Sequence, residues 1–257
     1  MYKTNYPSNV TDNQWTAMVQ FFDEKRKRKH SNREIFNAIL YLLKTGCQWR
    51  MLPKDFPKWQ LVYYYFHKWK NEGLIEYMHE CLRDKVREQA GKDASPSLGI
   101  IDSQSVKSAR SGGIGRGYDG GKKVKGRKRH IIVDTMGLLL AVVVHAANIH
   151  DSQAAIEVIS SLRYRFQRMV KIVADGGYRG ELIEKVKMLF HWTLEIVLRK
   201  DSKSSFQVLP KRWIVERTFS WFESYRRLSK DFEFLTDTSE TMIQMAMIKI
   251  MLNRIKK

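Results

Sequence analysis

Apolar residues recur at helical spacing along the first third of the chain. One such stripe consists of Trp15, Met18, Val19 and Phe22, and a second consists of Ile35, Ile39, Leu42 and Leu43. Ser31 and Glu34 form a capping-box pattern ahead of the second stripe, and Gly46 stands where that helix would end. A third stripe, which ends before Gly73, consists of Val62, Phe66 and Trp69. We therefore predict an all-helical domain over residues 1–95, in which a helix-turn-helix is plausible.

After the small, polar linker at residues 91–97 the pattern changes to short apolar runs. Strands are predicted at LGIID, which ends in Asp102, at both halves of RHIIVDTMGLLLAVVVHA, at VKIVAD and at TLEIVLR. Helices are predicted from Ser152, through ELIEKVKML, from Lys211 and over TSETMIQMAMIKIMLNRI. Residues 96–257 thus form an α/β domain with a mixed sheet flanked by helices. This order is that of a ribonuclease H-like domain, although order alone leaves other mixed α/β folds open.

The net charge of the chain indicates the class of its binding partner. The chain of 257 residues carries 46 Lys plus Arg against 27 Asp plus Glu, a formal net charge of +19, while 43% of its residues are hydrophobic. A folded surface with this excess attracts polyanions, and nucleic acid is the first candidate and a membrane surface the second. No run approaches the roughly 18 to 20 apolar residues of a membrane span, and the first residues lack a signal-peptide pattern. We therefore predict a cytoplasmic protein without a membrane partner.

Two aspartates stand at predicted strand ends, where open sheets place ligands: Asp102 and Asp175. If their strands are neighbours, the carboxylates would meet and could hold divalent cations for phosphoryl transfer. On the predicted helix from Lys211, Glu216 and Arg212 belong to a polar stripe. That stripe is either a solvated, salt-bridged face or a third metal carboxylate beside phosphate-binding guanidinium groups.

Basic residues crowd the segment between Lys107 and Arg129, which also holds seven glycines. We predict a flexible basic arm that touches the DNA backbone, in preference to an inert solvated loop. Its candidate DNA contacts are Lys122, Lys123, Lys125, Arg127, Lys128 and Arg129. The residues His145, His150 and Asp151 match no zinc spacing, and a helix-capping role for Asp151 or Ser152 is the simpler interpretation.

Four blocks of sequence resemble bacterial insertion-sequence transposases of the DDE type, and most closely the insertion sequence five family. The blocks are GIIDSQSVKSA, GYDGGKKVKGRKRHIIVDTMGLLL, IVADGGYRG and RWIVERTFSWFESYRRLSKDFE. The segment GCQWRMLPKDFPKWQLVYYYF resembles the amino-terminal domain of that family, which makes residues 1–95 the expected DNA-binding domain. The resemblance implies a ribonuclease H-like core in which Asp102, Asp175 and Glu216 are the catalytic metal ligands.

The same resemblance implies the activity and the partners. We expect two bound Mg²⁺ ions, for which Mn²⁺ would substitute, and cleavage and strand transfer of double-stranded DNA at the terminal inverted repeats and at a target site. Because two element ends must be paired, a homodimer on DNA is expected. The location would be the bacterial cytoplasm, in association with the nucleoid. Two rivals stay open at this point, a catalytically inactive DNA-binding regulator and a nuclease on the same fold.

One departure concerns the helix that carries Glu216. Related transposases place a tyrosine three residues before an arginine and a lysine seven residues after the glutamate. Arg212 fits that arginine, but Leu209 and Glu223 occupy the tyrosine and lysine positions. We therefore expect the phosphate contacts of this helix to come from Arg212, Arg226 and Arg227.

Overall fold

A computed structural model describes residues 5–23, 29–110, 113–198 and 211–255 of the chain. Its helices are α1 (Asp12–Met18), α2 (Asn32–Thr45), α3 (Trp59–Asn71), α4 (Leu74–Gln89), α5 (Asp151–Ser160), α6 (Leu182–Phe190), α7 (Arg212–Glu223) and α8 (Thr236–Leu252). Its strands are β1 (Leu98–Lys107), β2 (Gly117–Asp119), β3 (Val124–Val133), β4 (Leu139–Ala146), β5 (Lys171–Ala174) and β6 (Thr193–Ile196). Arg199, where the last predicted strand ends, and Leu209 lie outside the described residues.

Helices α2 and α3 form where the sequence pattern predicts them, whereas α1 ends at Met18, so Val19 lies in a 3-10 turn and Phe22 follows that turn. The Ser31 hydroxyl accepts a hydrogen bond from the Glu34 N–H, and the Glu34 carboxylate accepts one from the Ser31 N–H. Gly46 ends α2 in the left-handed conformation with φ of +72°. The predicted stripe on α2 is fully buried, as are Val62 and Phe66 on α3. Gly73 separates α3 from α4 at φ of +69°, which an L-residue adopts at a cost.

The sheet has the order β2-β3-β1-β5-β6. β3 also pairs with β4, through residues 127–133, whereas β2 pairs with residues 124–126 of β3. β1 runs antiparallel to β3 and parallel to β5, and β5 runs parallel to β6. The hairpin β3–β4 turns at Asp134, whose side chain accepts hydrogen bonds from the backbone of Met136 and Leu138. Side chains of β1, β5, α5 and α6 pack together in one buried cluster. This arrangement confirms the mixed, ribonuclease H-like α/β fold.

Two compact units divide the chain. The first contains Met1–Lys92, Phe222–Ser229 and Thr241–Lys257, and the second contains Asp93–Trp221 and Lys230–Glu240. Within the first unit, the Lys44 ammonium donates to the Ser224 carbonyl at 2.7 Å and the Lys249 ammonium donates to the Asn9 carbonyl at 3.1 Å. The first unit therefore includes C-terminal segments that the predicted domain of residues 1–95 leaves out. The DNA-binding role of residues 1–95 stays a prediction.

Candidate active site

Asp102 and Asp175 lie on neighbouring parallel strands of the second unit. The β1–β5 ladder ends with Ile100 paired to Val173, and Asp102 and Asp175 each follow two residues beyond that pair. The prediction that Asp102 ends its strand is wrong, because β1 continues to Lys107 along β3. The strand continues because β3 supplies hydrogen-bond partners on that edge. Asp102 is therefore held by regular backbone pairing, whereas Asp175 begins a turn.

Glu216 reaches the same place from helix α7. The helix is fixed in the second unit by the Thr218 hydroxyl, which donates to the Gly137 carbonyl at 3.0 Å, and by Ile214 and Val215, which are buried. Glu216 lies on the opposite, solvent-facing side, and 58% of its side chain is exposed. The predicted helix continues past residue 223, but α7 ends at Glu223 and a 3-10 turn follows.

A single guanidinium nitrogen joins the three carboxylates. Arg212 Nη2 lies 3.5 Å from Asp102 Oδ2, 3.4 Å from Asp175 Oδ2 and 3.5 Å from Glu216 Oε1. Only 14% of the Arg212 side chain is exposed, so this contact is largely shielded from solvent. The structure thus brings together all three acidic residues that the sequence singled out, around one cation.

The two aspartates have similar partners but differ in burial, since 17% of the Asp102 side chain and 31% of the Asp175 side chain are exposed. Burial raises the pKa of Asp102 to about 6, and the nearby charge of Asp175 adds to this increase, while the Ser103 backbone and Arg212 oppose it. The Ser103 N–H donates to Asp102 Oδ1 at 2.7 Å. Asp175 accepts a hydrogen bond from the Gly177 N–H at 2.8 Å, within a 3-10 turn. Each carboxylate therefore has one oxygen fixed by backbone and another facing Arg212.

The donor set fits a hard divalent cation. Carboxylate oxygens are the ligands that Mg²⁺ and Mn²⁺ prefer, and the three carboxylates here already share one positive charge. Within the described part of the chain, no three histidine, cysteine or carboxylate side chains are close enough to hold a metal ion directly. A bound metal ion would therefore need the carboxylates to move inward from their positions around Arg212.

A network of hydrogen bonds lies near the carboxylates, and among its members the sequence singled out Asp151 alone, as a candidate helix cap. The Tyr178 hydroxyl is hydrogen-bonded to His130 Nε2 at 2.6 Å, and the Ser103 hydroxyl donates to Asp151 Oδ1 at 2.9 Å. Burial raises the pKa of Tyr178 well above its ordinary value, and the charges of Asp102, Asp151 and Asp175 add to the increase. The sequence gives no signal for Tyr178, because a tyrosine after two glycines is an ordinary turn pattern. Its position beside His130 is seen only in the folded sheet.

The predicted capping role of Asp151 or Ser152 is wrong. Helix α5 begins at Asp151, and its N-cap is His150, whose ring nitrogen Nδ1 accepts a hydrogen bond from the Ser152 N–H at 3.3 Å. Asp151 is therefore free of the capping task and turns toward Ser103 and Lys128. His145 belongs to β4, where it lies 3.5 Å from His130.

The predicted DNA contacts divide into exposed and buried residues. Lys122, Lys123 and Lys125 are exposed, and the Lys122 ammonium donates to the Ser103 carbonyl at 3.0 Å, beside Asp102. Arg226 is exposed in the first unit. These four residues stay predicted DNA contacts, as does Arg212, which is turned toward the carboxylates.

Four other predicted DNA contacts are buried. They are Arg127, Lys128, Arg129 and Arg227. The first three lie in β3, so the prediction of a flexible arm is wrong for residues 124–129; Ser111 and Gly112 of that arm lie outside the described residues. Arg127 pairs with Asp231, Lys128 pairs with Asp151, and Arg227 donates to the Cys47 carbonyl. Because internal partners hold these cations, they do not present a charge to a DNA backbone in this conformation.

No helix among the described residues is both long and apolar enough to cross a membrane.

Known proteins resemble the chain over both halves. Residues 93–251 match the family described as a transposase DDE domain, and residues 10–79 match the family described as "Putative transposase of IS4/5 family". A Burkholderia cepacia protein named "Putative transposase for insertion sequence element IS402" is 31% identical over 140 residues, which cover 51% of this chain and 65% of that protein. An "Insertion element IS402 uncharacterized 16.2 kDa protein" from the same organism is 27% identical over 117 residues, which cover 40% and 76% of the two chains.

Among solved structures, the "Mos1 transposase paired-end complex with left transposon end" aligns with a TM-score of 0.24 and 12% identity, over 81% of this chain and 79% of that one. The match to the DDE domain covers more than half of the chain and contains Asp102, Asp175 and Glu216. The chain therefore belongs to the family of DDE transposases of the insertion sequence four and five type.

Proposed function

We propose that the protein is a DNA transposase that binds the terminal inverted repeats of its own insertion sequence and cuts and joins DNA there. The observation that carries this proposal is the convergence of Asp102, Asp175 and Glu216 within 3.5 Å of one cationic nitrogen. Membership in the DDE transposase family supplies the reaction class. The mobile-element names of the two relatives support DNA as the substrate.

Asp102, Asp175 and Glu216 would hold two Mg²⁺ ions, or Mn²⁺ in their place. When bound, such ions lower the pKa of the attacking hydroxyl and stabilise charge on the attacking and leaving oxygens. In the first reaction water forms a bond to phosphorus as the bond from phosphorus to the 3′ oxygen breaks, which leaves a 3′-hydroxyl. In the second reaction that hydroxyl forms a bond to a phosphorus of the target DNA as the bond from this phosphorus to the target 3′ oxygen breaks, which leaves a new 3′-hydroxyl on the target strand. No protein side chain is needed as general base.

The chain's own residues bind and orient the DNA. Lys122 is exposed beside Asp102 and can hold a phosphate next to the scissile one. Arg212, whose guanidinium lies among the carboxylates, can turn to a phosphate because its charge is permanent and its fork fits two oxygens. Recognition of the repeat sequence is assigned to the N-terminal helices, where exposed Tyr64 on α3 can stack on bases. A homodimer would pair the two ends in the bacterial cytoplasm, at the nucleoid.

An end-joining assay tests the proposal and separates a transposase from a nuclease. The full chain is incubated with a labelled duplex that carries one terminal repeat, a supercoiled target plasmid and Mg²⁺ or Mn²⁺. We expect cleavage at the repeat end and covalent joining of the freed 3′ end to the plasmid. Cleavage without joining would indicate a nuclease. Repeat binding with no cleavage under either metal would favour an inactive DNA-binding regulator.

A further inference from the structure

Lys128 is buried behind the carboxylates and has three oxygen partners. Its ammonium lies 2.8 Å from Asp151 Oδ1 and donates to the Ile149 carbonyl at 2.8 Å, while Asp119 Oδ2 is 3.8 Å away. Only 6% of the Lys128 side chain is exposed, against 24% for Asp151. A lysine held in this way contributes its charge to the interior of the second unit.

Asp151 is adjacent to both metal-ligand aspartates. On one side its Oδ1 accepts a hydrogen bond from the Ser103 hydroxyl, and the Ser103 N–H in turn donates to Asp102 Oδ1 at 2.7 Å. On the other side, a Cβ placed on Gly177 would lie 3.0 Å from Asp175 Oδ1 and 3.9 Å from Asp151 Oδ2. Asp151 therefore lies next to Asp102 through Ser103 and next to Asp175 across Gly177.

The surroundings keep Asp151 ionised. Burial raises the pKa of Asp151, but hydrogen bonds from Lys128 and Ser103 outweigh burial and hold that pKa below its ordinary value. Without Lys128, Asp151 would add a fourth carboxylate charge beside a site in which three carboxylates already share the single charge of Arg212. Carboxylate charges that lie close together in a partly buried setting repel one another strongly.

We propose that Lys128 and Asp151 form a charge-balancing ion pair of the active site, in which Lys128 cancels the charge of Asp151 and Asp151 positions Ser103 beneath Asp102. Divalent cations then meet the charges of Asp102, Asp175, Glu216 and Arg212, without a net contribution from Asp151. Lys128 and Asp151 are positioning residues, since neither is assigned a contact with substrate. This inference rests on the proposed function, because it concerns the affinity of the same site for divalent cations.

Binding of Mn²⁺ to the full chain without DNA, measured by calorimetry, tests the pair. Lys128→Met leaves Asp151 uncompensated and should tighten Mn²⁺ binding about tenfold, because one negative charge is added near the site. Asp151→Asn leaves Lys128 uncompensated and should weaken binding about tenfold for the opposite reason. The double variant Lys128→Met/Asp151→Asn removes both charges and should bind within about threefold of the wild type.

Matched controls separate this effect from a general effect of charge. The exposed pair of Lys171 and Glu195, whose charged groups are 2.8 Å apart, lies at the opposite end of β5 from Asp175. Lys171→Met and Glu195→Gln should leave Mn²⁺ affinity unchanged. Circular dichroism and thermal unfolding of each variant report whether it folds, and the double variant keeps the test decisive if Lys128→Met alone does not fold.

The alternative is that Lys128 contacts DNA, as its sequence context predicts. In that case Lys128→Met and the double variant would lose DNA affinity equally and Mn²⁺ affinity would not change, an outcome that overturns the charge-balancing role. Equal Mn²⁺ affinities in the wild type and both single variants would overturn it too. If neither the wild type nor Asp102→Asn binds Mn²⁺, the proposed function itself fails, and the inference fails with it.

Discussion

Arg127 and Asp231 form an ion pair in which neither side chain is exposed to solvent, with 3.0 Å between Arg127 Nη1 and Asp231 Oδ1. The same guanidinium donates to the carbonyl oxygens of Ile114, Glu233 and Phe234. Asp231 in turn accepts hydrogen bonds from the Ser239 hydroxyl and the Glu233 N–H. This buried pair, in which both terminal guanidinium nitrogens of Arg127 have oxygen partners, links strand β3 to the segment between α7 and α8.

Arg127→Met should destabilise the protein by about 3–5 kcal/mol, because it leaves Asp231 as an unpaired buried charge and three carbonyls without their donor. The measurement is urea unfolding of the full chain. Lys125→Met is the matched control, since Lys125 is the exposed lysine two residues earlier on β3, and it should change stability by less than about 0.5 kcal/mol. Equal effects of the two substitutions would contradict a structural role for Arg127.

In the basic segment, the sequence did not predict which side chains are exposed and which are buried. Charge density along residues 122–129 predicts DNA contacts, and for Lys122, Lys123 and Lys125 the structure leaves the side chains exposed. For Arg127 the partner is Asp231, 104 residues later in the chain, and no local pattern indicates such a pairing. Charge in a sequence therefore indicated the class of partner better than it indicated which cations face that partner.

Replacing the exposed lysines tests the remaining DNA prediction. Lys122→Ala, Lys123→Ala and Lys125→Ala combined should weaken binding to repeat and random DNA about equally, because phosphate contacts carry no sequence information. The slope of log K against log salt should fall by up to roughly 0.9 for each lost contact. The measurement is fluorescence anisotropy at several salt concentrations, with exposed Lys187→Ala on α6 as the control. An unchanged slope would make these lysines ordinary solvated surface.

The acidic residues are tested by isosteric substitution. Asp102→Asn, Asp175→Asn and Glu216→Gln should each lower Mg²⁺-dependent cleavage by more than about 100-fold while DNA affinity stays nearly unchanged, because each removes a ligand charge and no phosphate contact. Glu223→Gln is the control on α7, at the position where related proteins carry a lysine. Substantial cleavage by any one of the three variants would remove that residue from the site.

Much of the active site followed from the sequence because strand ends and helical spacing are local properties. Asp102 and Asp175 could be placed together once two strands were expected to be neighbours, and Glu216 followed from the resemblance. The places of Ser103 and Asp151 could not be predicted. Their hydrogen bond depends on the contact between the start of α5 and the middle of β1, which joins residues 48 apart in the chain. Tyr178 and His130 are likewise joined only by the folded sheet.

The buried histidines predict a dependence of stability on pH. Burial lowers the pKa of His130 to about 3 and also lowers the pKa of His145. In the unfolded chain each would titrate near its ordinary value of about 6.5. The unfolded state therefore binds more protons below that pH, so the stability contributed by the neutral histidines is complete above about pH 6.5 and is lost as pH falls. His130 should contribute a slope approaching about 1.4 kcal/mol per pH unit below pH 6.5, and His145 acts in the same direction.

Comparison of the wild type with His130→Gln isolates the contribution of His130 to the pH dependence of stability. Asp102, whose raised pKa of about 6 makes the folded state gain stability as pH falls, acts in the opposite direction, but both proteins carry it. Urea unfolding at pH 7.5, 6.5 and 5.5, with chelator present, should show a shallower acid loss for His130→Gln, by roughly 1 kcal/mol per pH unit. His191→Gln, at the C-cap of α6, is the control and should keep the wild-type slope. Identical slopes for the wild type and His130→Gln would mean that His130 becomes protonated within the fold and that its contact with Tyr178 does not require the neutral ring.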